Sequence, residues 1–320
     1  MIQTPLFADA LIAEHGHNPM AYQLMLPEFE HWFSRQTPGL MGYKKKSGAL
    51  VVAGPPVCAI GDIPDLVDGF SKTTNSPWLA FGLLAPAAKV FEQLNWRTLA
   101  VAAQPFWKPS DWATVLAAKP SLPKLIRRAV NKQVVCQEIT QTLSLWENAL
   151  AGCRRHWLAH FKSPPLQFFA QSDVLEQAGQ RRSFVATIGG KVVAYAMVSP
   201  ITPRNGWFLE QLVRDPKAPV GTIECLIDHV MQTANRDQLS VVFMGMVPFS
   251  AFTHTRSNPK WINGLFRVIK RSGQRLYSFN GLDAFRAKLR PTGWETLYVA
   301  FPKTVSVWRV FWGVGLAFLG

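Results

Sequence analysis

The sequence predicts an α/β (α+β) fold built twice, as two related halves that each hold a mostly antiparallel mixed sheet with helices on its faces. Three observations predict it. A hairpin, a strand, a helix and a further strand occur in that order before residue 135 and again after it. A Pro/Gly stretch closes a strand ahead of a helix in both halves. The length of 320 residues suits two domains of ordinary size better than one core. The expected boundaries are 1–135, 136–304 and an apolar, aromatic tail at 305–320.

Leu6–Glu14 and Ala21–Phe33 read as short helices separated by the breaker HGHNPM. Gly42–Ala53, GYKKKSGALVVA, reads as two strands about a Ser47-Gly48 turn, and Gly54-Pro55-Pro56 stops the second. Ile63–Ser71 is read as helix, Trp78–Leu83 as a buried strand, Pro86–Gln93 as helix and Thr98–Ala102 as strand. Pro105–Pro123, rich in Pro, Trp and Ser, reads as loop. Lys124–Val135, KLIRRAVNKQVV, sets Leu125, Ala129 and Val130 against Lys124, Arg127, Arg128 and Lys132 with a helical period. Its basic face is either a phosphate-contacting surface or simply solvated.

The second half repeats the order. Leu145–Phe161 is a helix carrying Arg154, Arg155, His156 and His160, and Ser183–Ser199 gives two strands about Gly189-Gly190. Gly206–Asp228, GWFLEQLVRDPKAPVGTIECLID, is strand, loop and helix. Leu239–Met244 is a strand with the exit loop Gly245–Ser250, and Lys260–Arg271 is a helix.

Thirty-four Lys and Arg against 20 acidic residues give a formal charge of +14. Such a surface attracts polyanions or anionic membranes. Cys58, Cys136, Cys153 and Cys225 show no paired spacing, so neither a disulfide framework nor a zinc site is expected, and a reducing cytoplasm fits. MIQTPLFADALIAEHGH lacks the form of a signal peptide. Val305–Gly320 is shorter than the roughly 20 residues of a spanning helix. It is either an in-plane anchor, with Trp308 and Trp312 at the headgroups, or a segment packed on the protein or on a partner subunit. The expected location is cytoplasmic, peripheral to the inner face of the membrane.

His156 and His160 stand at i, i+4, but no Glu adjoins the first and no third ligand is evident, so no metal is expected. Neither G-x-S-x-G nor a phosphate-binding P-loop motif occurs, and no covalent nucleophile and no cofactor is expected. Gly206–Asp228 makes an anion site if Arg214 and Lys217 join the free amides of the helix starting near Thr222. In the alternative, they are solvated loop charges and Gly221 only turns the chain. What remains is acyl transfer by positioning, which needs donors for a carbonyl oxygen and a clamp on the carrier's phosphates. Glu210 lies on the strand, and the amides at Gly245-Met246 would enter the same cleft.

That topology is acetyltransferase-like, and the chain resembles the catalytic domain of the phosphatidylglycerol lysyltransferase family. The stretches that carry the resemblance are NPMAYQLMLPEFEHWF at Asn18–Phe33, Leu50–Gly54, LIRRAVNK at Leu125–Lys132, LVRDPKAPVGTIECLID at Leu212–Asp228, MGMVPFS at Met244–Ser250 and FNGLDAFRAKLRPTGWETLYV at Phe279–Val299. The family carries two acetyltransferase-like folds in tandem (a dual GNAT arrangement) and moves an amino acid from aminoacyl-tRNA to a lipid. The resemblance implies that Arg214 lines the aminoacyl pocket, with Gly245, Met246, Pro248 and Ser250 at the strand exit beside it. Lys288, Trp294, Glu295 and Tyr298 match the closing motif. Lys124–Lys132 would face the acceptor stem or the lipid phosphate.

Lysyl enzymes tend to have Asp three residues before the Arg, where this chain has Gln211 beside Glu210. Gly54-Pro55-Pro56 replaces a Gly-Asp-Pro turn, with Asp62 the nearest carboxylate in sequence. The family's lipid enzymes usually add a transmembrane bundle, which is not seen in this sequence. The acceptor is therefore expected to be an anionic lipid or a small amine or hydroxyl compound, with aminoacyl-tRNA as co-substrate. Two other readings remain, an acyl-CoA-dependent N-acyltransferase and a non-catalytic module binding RNA or anionic membrane.

Overall fold

Apolar residues that alternate along the strands give each strand two faces to cover, and one long sheet meets that need. The computed structural model describes residues 5–46, 48–139, 143–160, 180–253, 258–273 and 279–306. Its first elements are α1 (Pro5–His15), a 3₁₀ turn (Ala21–Met25), β1 (Glu30–Phe33), β2 (Leu40–Lys46), β3 (Ala49–Ala53), α2 (Ile63–Thr73), β4 (Trp78–Leu83), α3 (Ala85–Gln93) and β5 (Trp96–Trp107). There follow α4 (Trp112–Ala118), α5 (Ser121–Val130), β6 (Val135–Glu138), α6 (Glu147–Ala159), β7 (Arg182–Ile188), β8 (Lys191–Ile201) and β9 (Gly206–Arg214). The last are α7 (Thr222–Arg236), β10 (Val241–Met244), β11 (Val247–Pro248), α8 (Lys260–Gly273), α9 (Phe279–Lys288) and β12 (Gly293–Pro302).

All twelve strands of the described residues join one sheet, in the order β1-β2-β3-β4-β12-β5-β10-β9-β8-β7-β6, with β11 beside β5. Among the described residues only β3–β4 and β9–β10 pair in parallel, so the sheet is mixed and mostly antiparallel, as the sequence predicts. The two halves meet edge to edge rather than as separate sheets. Reading outward from the centre, β12-β4-β3-β2-β1 is matched by β5-β10-β9-β8-β7 with the same sequence of parallel and antiparallel pairs. Each central strand completes the other half. β12 lies between β4 and β5, and β5 lies against β10.

One face of the sheet buries Val51, Phe81, Val101, Tyr195, Phe208, Phe243, Leu297 and Phe301 in a single core shared with α1, α6 and α8. The opposite face is covered in two blocks. Phe70 and Phe91 of α2 and α3 pack over the first half, and Leu122, Ala129, Leu226 and Val230 of α5 and α7 over the second. Each fully buried large apolar side chain contributes roughly 1.5–3 kcal/mol. Among the described residues no helix is long and apolar enough to cross a membrane.

The structure departs from the sequence reading in three places. Ala21–Phe33 is a 3₁₀ turn followed by β1, not one helix. Pro27 lacks the amide a continuing helix needs, and Trp32 on β1 packs edge-on against Phe70 at 5.5 Å. Pro105–Pro123 holds the end of β5, α4 and the start of α5 rather than loop. Pro120 and Pro123 fall at the entry of α5, where a missing amide costs nothing, and the buried Trp112 donates from Nε1 to Asp228 at 2.8 Å. The basic helix ends at Val130. Gln133 turns the chain at φ +62°, and Val135 begins β6 against β7.

Candidate acyl-transfer site at two divergences of the sheet

β9 and β10 pair in parallel from Gly206–Val241 to Leu209–Met244 and then separate. β9 runs on to Arg214 against β8, while Gly245-Met246 carries the other chain across to β11, which pairs with Ala102 and Ala103 of β5. A wedge opens between Glu210–Arg214 and Gly245–Pro248. Backbone groups facing it have no ladder partner on that side and are available to a substrate.

The first half diverges in the same register. β3 and β4 pair from Leu50–Trp78 to Ala53–Phe81 and then part. Counting past the fourth pair sets Gly54 where Glu210 stands, Pro55 where Gln211 stands, and Gly82 where Gly245 stands. A cavity of about 590 Å³ fills this divergence. Gly54-Pro55-Pro56 and Leu84-Ala85-Pro86 line it, with Arg204 and Glu295 arriving from the second half. Asn18, in the NPMAYQ stretch, is buried there and donates from Nδ2 to the Gly82 carbonyl at 2.7 Å. Burial, reinforced by Asp62, pushes the Cys58 thiol on the cavity wall up to about 12, so it is no nucleophile.

The second wedge is polar. Glu210 sits in a β-bulge, opposite the step between Met197 and Val198, and accepts from Arg181 Nε at 2.9 Å and Nη2 at 3.3 Å. Both side chains are almost wholly buried, 1% and 2% exposed, and the Arg181 guanidinium lies 4.6 Å over the Tyr22 ring. Both Glu210 oxygens are therefore engaged in holding the wall of the wedge. Farther along β9, Gln211 Oε1 is buried without a hydrogen-bond partner among the described residues, and so is Arg214 Nε. Such groups cost about 1–3 kcal/mol each until a partner meets them. Arg214 Nη2 donates to the carbonyls of Pro216 and Ala218 at 3.3 and 3.1 Å, shaping the loop ahead of α7.

In that loop Asp215 is buried and bonded to His156 Nδ1 at 2.8 Å and to the Lys217 amide at 2.9 Å. Burial opposes ionisation, but His156, the amide and Lys191 together hold the carboxyl below its ordinary value. Thr222 is fully buried and donates its hydroxyl to the Pro219 carbonyl at 2.7 Å. Gly221 has φ +97°, and a Cβ there would lie 2.0 Å from the Leu125 carbonyl oxygen, so α5 rests directly on the start of α7. Only glycine meets both demands. Glu224, on the first turn of α7, accepts from Lys288 Nζ at 2.5 Å. A carbonyl and a carboxylate thus sit against the helix start, and the exposed cations nearby are Lys217, then Lys124, Arg127 and Arg128 of α5 and Lys132 in the turn after it.

The remaining sequence-derived residues spread over three places. Gly245 and Met246 border the wedge, and a Cβ at Gly245 would lie 3.7 Å from Arg286 Nη2. Ser250 donates to Asp283 at 2.7 Å and accepts from the Phe252 amide, fixing the turn after β11. Trp294 stacks on Phe252 at 4.2 Å. Glu295 is held by Arg204 at 2.7 and 3.2 Å and by Gln104 at 3.2 Å, and belongs to the first cavity. Tyr298 packs with the α2–α3 core of the first half. Sequence reasoning missed Arg181, Asp215 and Arg204, whose partners are distant in sequence. His156 was seen, but only as a discarded metal ligand.

The family model for phosphatidylglycerol lysyltransferase, C-terminal, matches residues 9–301. The phosphatidylglycerol lysyltransferase of Bacillus subtilis (strain 168) is 22% identical over 309 residues, which are 93% of this chain and 35% of that protein. The chain therefore spans about a third of the length of this curated relative. Two solved structures share the fold with a TM-score of 0.81 each. The L-PGS of Bacillus licheniformis is 19% identical, covering 98% of this chain and 96% of that one. The C-terminal domain of a putative lysylphosphatidylglycerol synthetase from Agrobacterium fabrum is 16% identical, covering 99% and 97%. With a match over nearly its whole length, and with two halves of like strand order and a duplicated divergence, the chain belongs to the family of phosphatidylglycerol lysyltransferase C-terminal domains.

Proposed function

We propose that the protein transfers an aminoacyl group from aminoacyl-tRNA to a hydroxyl of a phosphatidylglycerol-like lipid, by direct attack. The observation that carries this reading is the contrast between the two divergences. One is an apolar cavity of about 590 Å³, a size that suits the glycerol end and part of an acyl chain. The other is a polar wedge beside an exposed basic helix, which suits the charged end of a tRNA. Family membership supports the lipid as acceptor.

In this reading the acceptor hydroxyl attacks the ester carbonyl, its proton passes to solvent, and the terminal ribose hydroxyl of the tRNA leaves. Amides at Gly245-Met246 and the free Nε of Arg214 stabilise the oxyanion. Arg181–Glu210 keeps the wall rigid, and Gln211 meets the α-amino group or side chain of the amino acid. Gln211, neutral where lysyl enzymes tend to carry Asp, favours a residue other than lysine. Burial pushes the nearby Cys153 thiol up to about 11, which argues against a covalent intermediate. Lys124, Arg127, Arg128, Lys132 and Lys217 contact RNA phosphates, and the protein works at the membrane surface.

Purified protein incubated with charged tRNA pools and phosphatidylglycerol should yield a lipid heavier by one aminoacyl residue, and ribonuclease should abolish the product. Turnover that survives ribonuclease and requires acyl-CoA would sink this reading. A product formed on a small soluble amine or alcohol but never on lipid would move the acceptor to that class.

A further inference from the structure

We propose that the outer face of α8 is a docking surface for an anionic bilayer. The helix is firmly fixed from below. Just before it, Asn258 takes both backbone groups of Ala100, donating to the carbonyl and accepting from the amide at 2.9 Å each. Ile262 and Phe266 are buried in the main core, the latter 4.9 Å from the Phe249 ring, and Lys270 meets Asp283 at 3.3 Å. The flank of the same helix that adjoins this buried face is apolar as well, yet it is left open to solvent. Trp261 and Val268 are 55% and 61% exposed, with the half-buried Leu265 between them at helical spacing. The exposed Lys260 and Arg267 flank this stripe.

Charge selects the occupant. Between Asp237 and Asp283 the chain carries six Lys and Arg and no Asp or Glu. A Trp and aliphatic stripe bordered by cations fits the headgroup and acyl boundary of a membrane rich in anionic lipid. RNA would satisfy the cations but leave Val268 and Leu265 against water or phosphate. The basic face of α5 has the opposite make-up, with Lys124, Arg127 and Arg128, Lys132 just after it and a single exposed Val130, so the two helices divide between membrane and polyanion. The inference deepens the lipid side of the proposed function, but its readout needs no tRNA and no turnover.

The test is co-sedimentation of the full chain with vesicles of phosphatidylglycerol and phosphatidylcholine against vesicles of phosphatidylcholine alone. The protein should bind the anionic vesicles, more weakly as salt rises. Trp261→Glu with Val268→Glu should lower that binding about tenfold or more. The same variant should keep its unfolding temperature and its turnover of detergent-dispersed lipid. Arg127→Glu with Arg128→Glu should lose less vesicle binding. The proposal is overturned if the wild type ignores anionic vesicles, or if the α8 variant binds as the wild type does while the α5 variant or Trp308→Ala with Trp312→Ala does not. It is equally overturned if tRNA, and not vesicles, shields Lys260 from chemical modification. Absent turnover with intact, Trp261-dependent binding would refute the transferase reading and leave the docking surface standing.

Discussion

Past the fourth parallel pair, one chain continues as Gly54-Pro55-Pro56 and the other as Glu210-Gln211-Leu212. The backbone plan of the two divergences is shared, and a glycine, Gly82 or Gly245, opens the far side of each. Prolines and small residues leave the first an apolar cavity reached by Arg204–Glu295. In the second, a buried ion pair and two buried polar atoms without a partner among the described residues belong to the strand that borders the gap. Strand divergence supplies space for a ligand, and the few side chains beyond it decide which chemistry enters.

The largest expected effect comes from breaking the charge that distinguishes the second wedge. Glu210→Ala removes the buried carboxylate that meets Arg181 through two nitrogens, so urea unfolding should show a loss of about 3–5 kcal/mol. Arg181→Met combined with Glu210→Met should recover most of that stability. Near-neutral single variants would mean the pair does not hold the wall.

Next in size is the separation of donor from acceptor. Arg214→Ala should lower transfer to lipid by about a hundred- to thousandfold with little change in unfolding temperature. Ala59→Trp, which fills the first cavity, should lower turnover of lipid by about tenfold or more and spare a short-chain glycerol acceptor. If both variants respond alike to acceptor chain length, the division of labour is wrong.

The smallest effect is a pH dependence confined to the second wedge. The Asp215 carboxyl is held below its ordinary value in the folded protein, so its contribution is present above the ordinary carboxylate range and fades as pH falls through the lower folded one. Asp215→Asn should cost about 1 kcal/mol at neutral pH and flatten the acid limb of the stability curve. An unchanged acid limb, followed by circular dichroism from pH 6 downward, would remove Asp215 from the loop's support.

The repeated hairpin, strand and helix were legible because local chemistry marks them. Gly189 and Gly190 take positive φ at a two-residue turn, and Gly54-Pro55-Pro56 ends a strand. What escaped is nonlocal. No spacing rule links Arg181 to Glu210, and the first cavity is assembled from stretches near residues 18, 55, 85, 204 and 295. Pro and Trp in Pro105–Pro123 signal loop by composition, whereas the fold uses them as helix entry and core. The contact of α5 with the start of α7 left one trace, the glycine at 221, which sequence alone allows to be read as a turn.

The placement of β12 bears on how the chain reaches this shape. Tyr298 pairs with both Leu83 and Ala100, so one edge of β4 and one of β5 have no partner until residues near 298 have been synthesised. Contacts this remote in sequence slow folding and lengthen the time that sticky strand edges face other chains. During synthesis the first half must wait beside the ribosome, open at its centre, for a strand that arrives after the second half has largely been made. Truncation before Gly293 would therefore be expected to unsettle the apolar cavity, although every residue of its Gly54 and Leu84 walls would still be present.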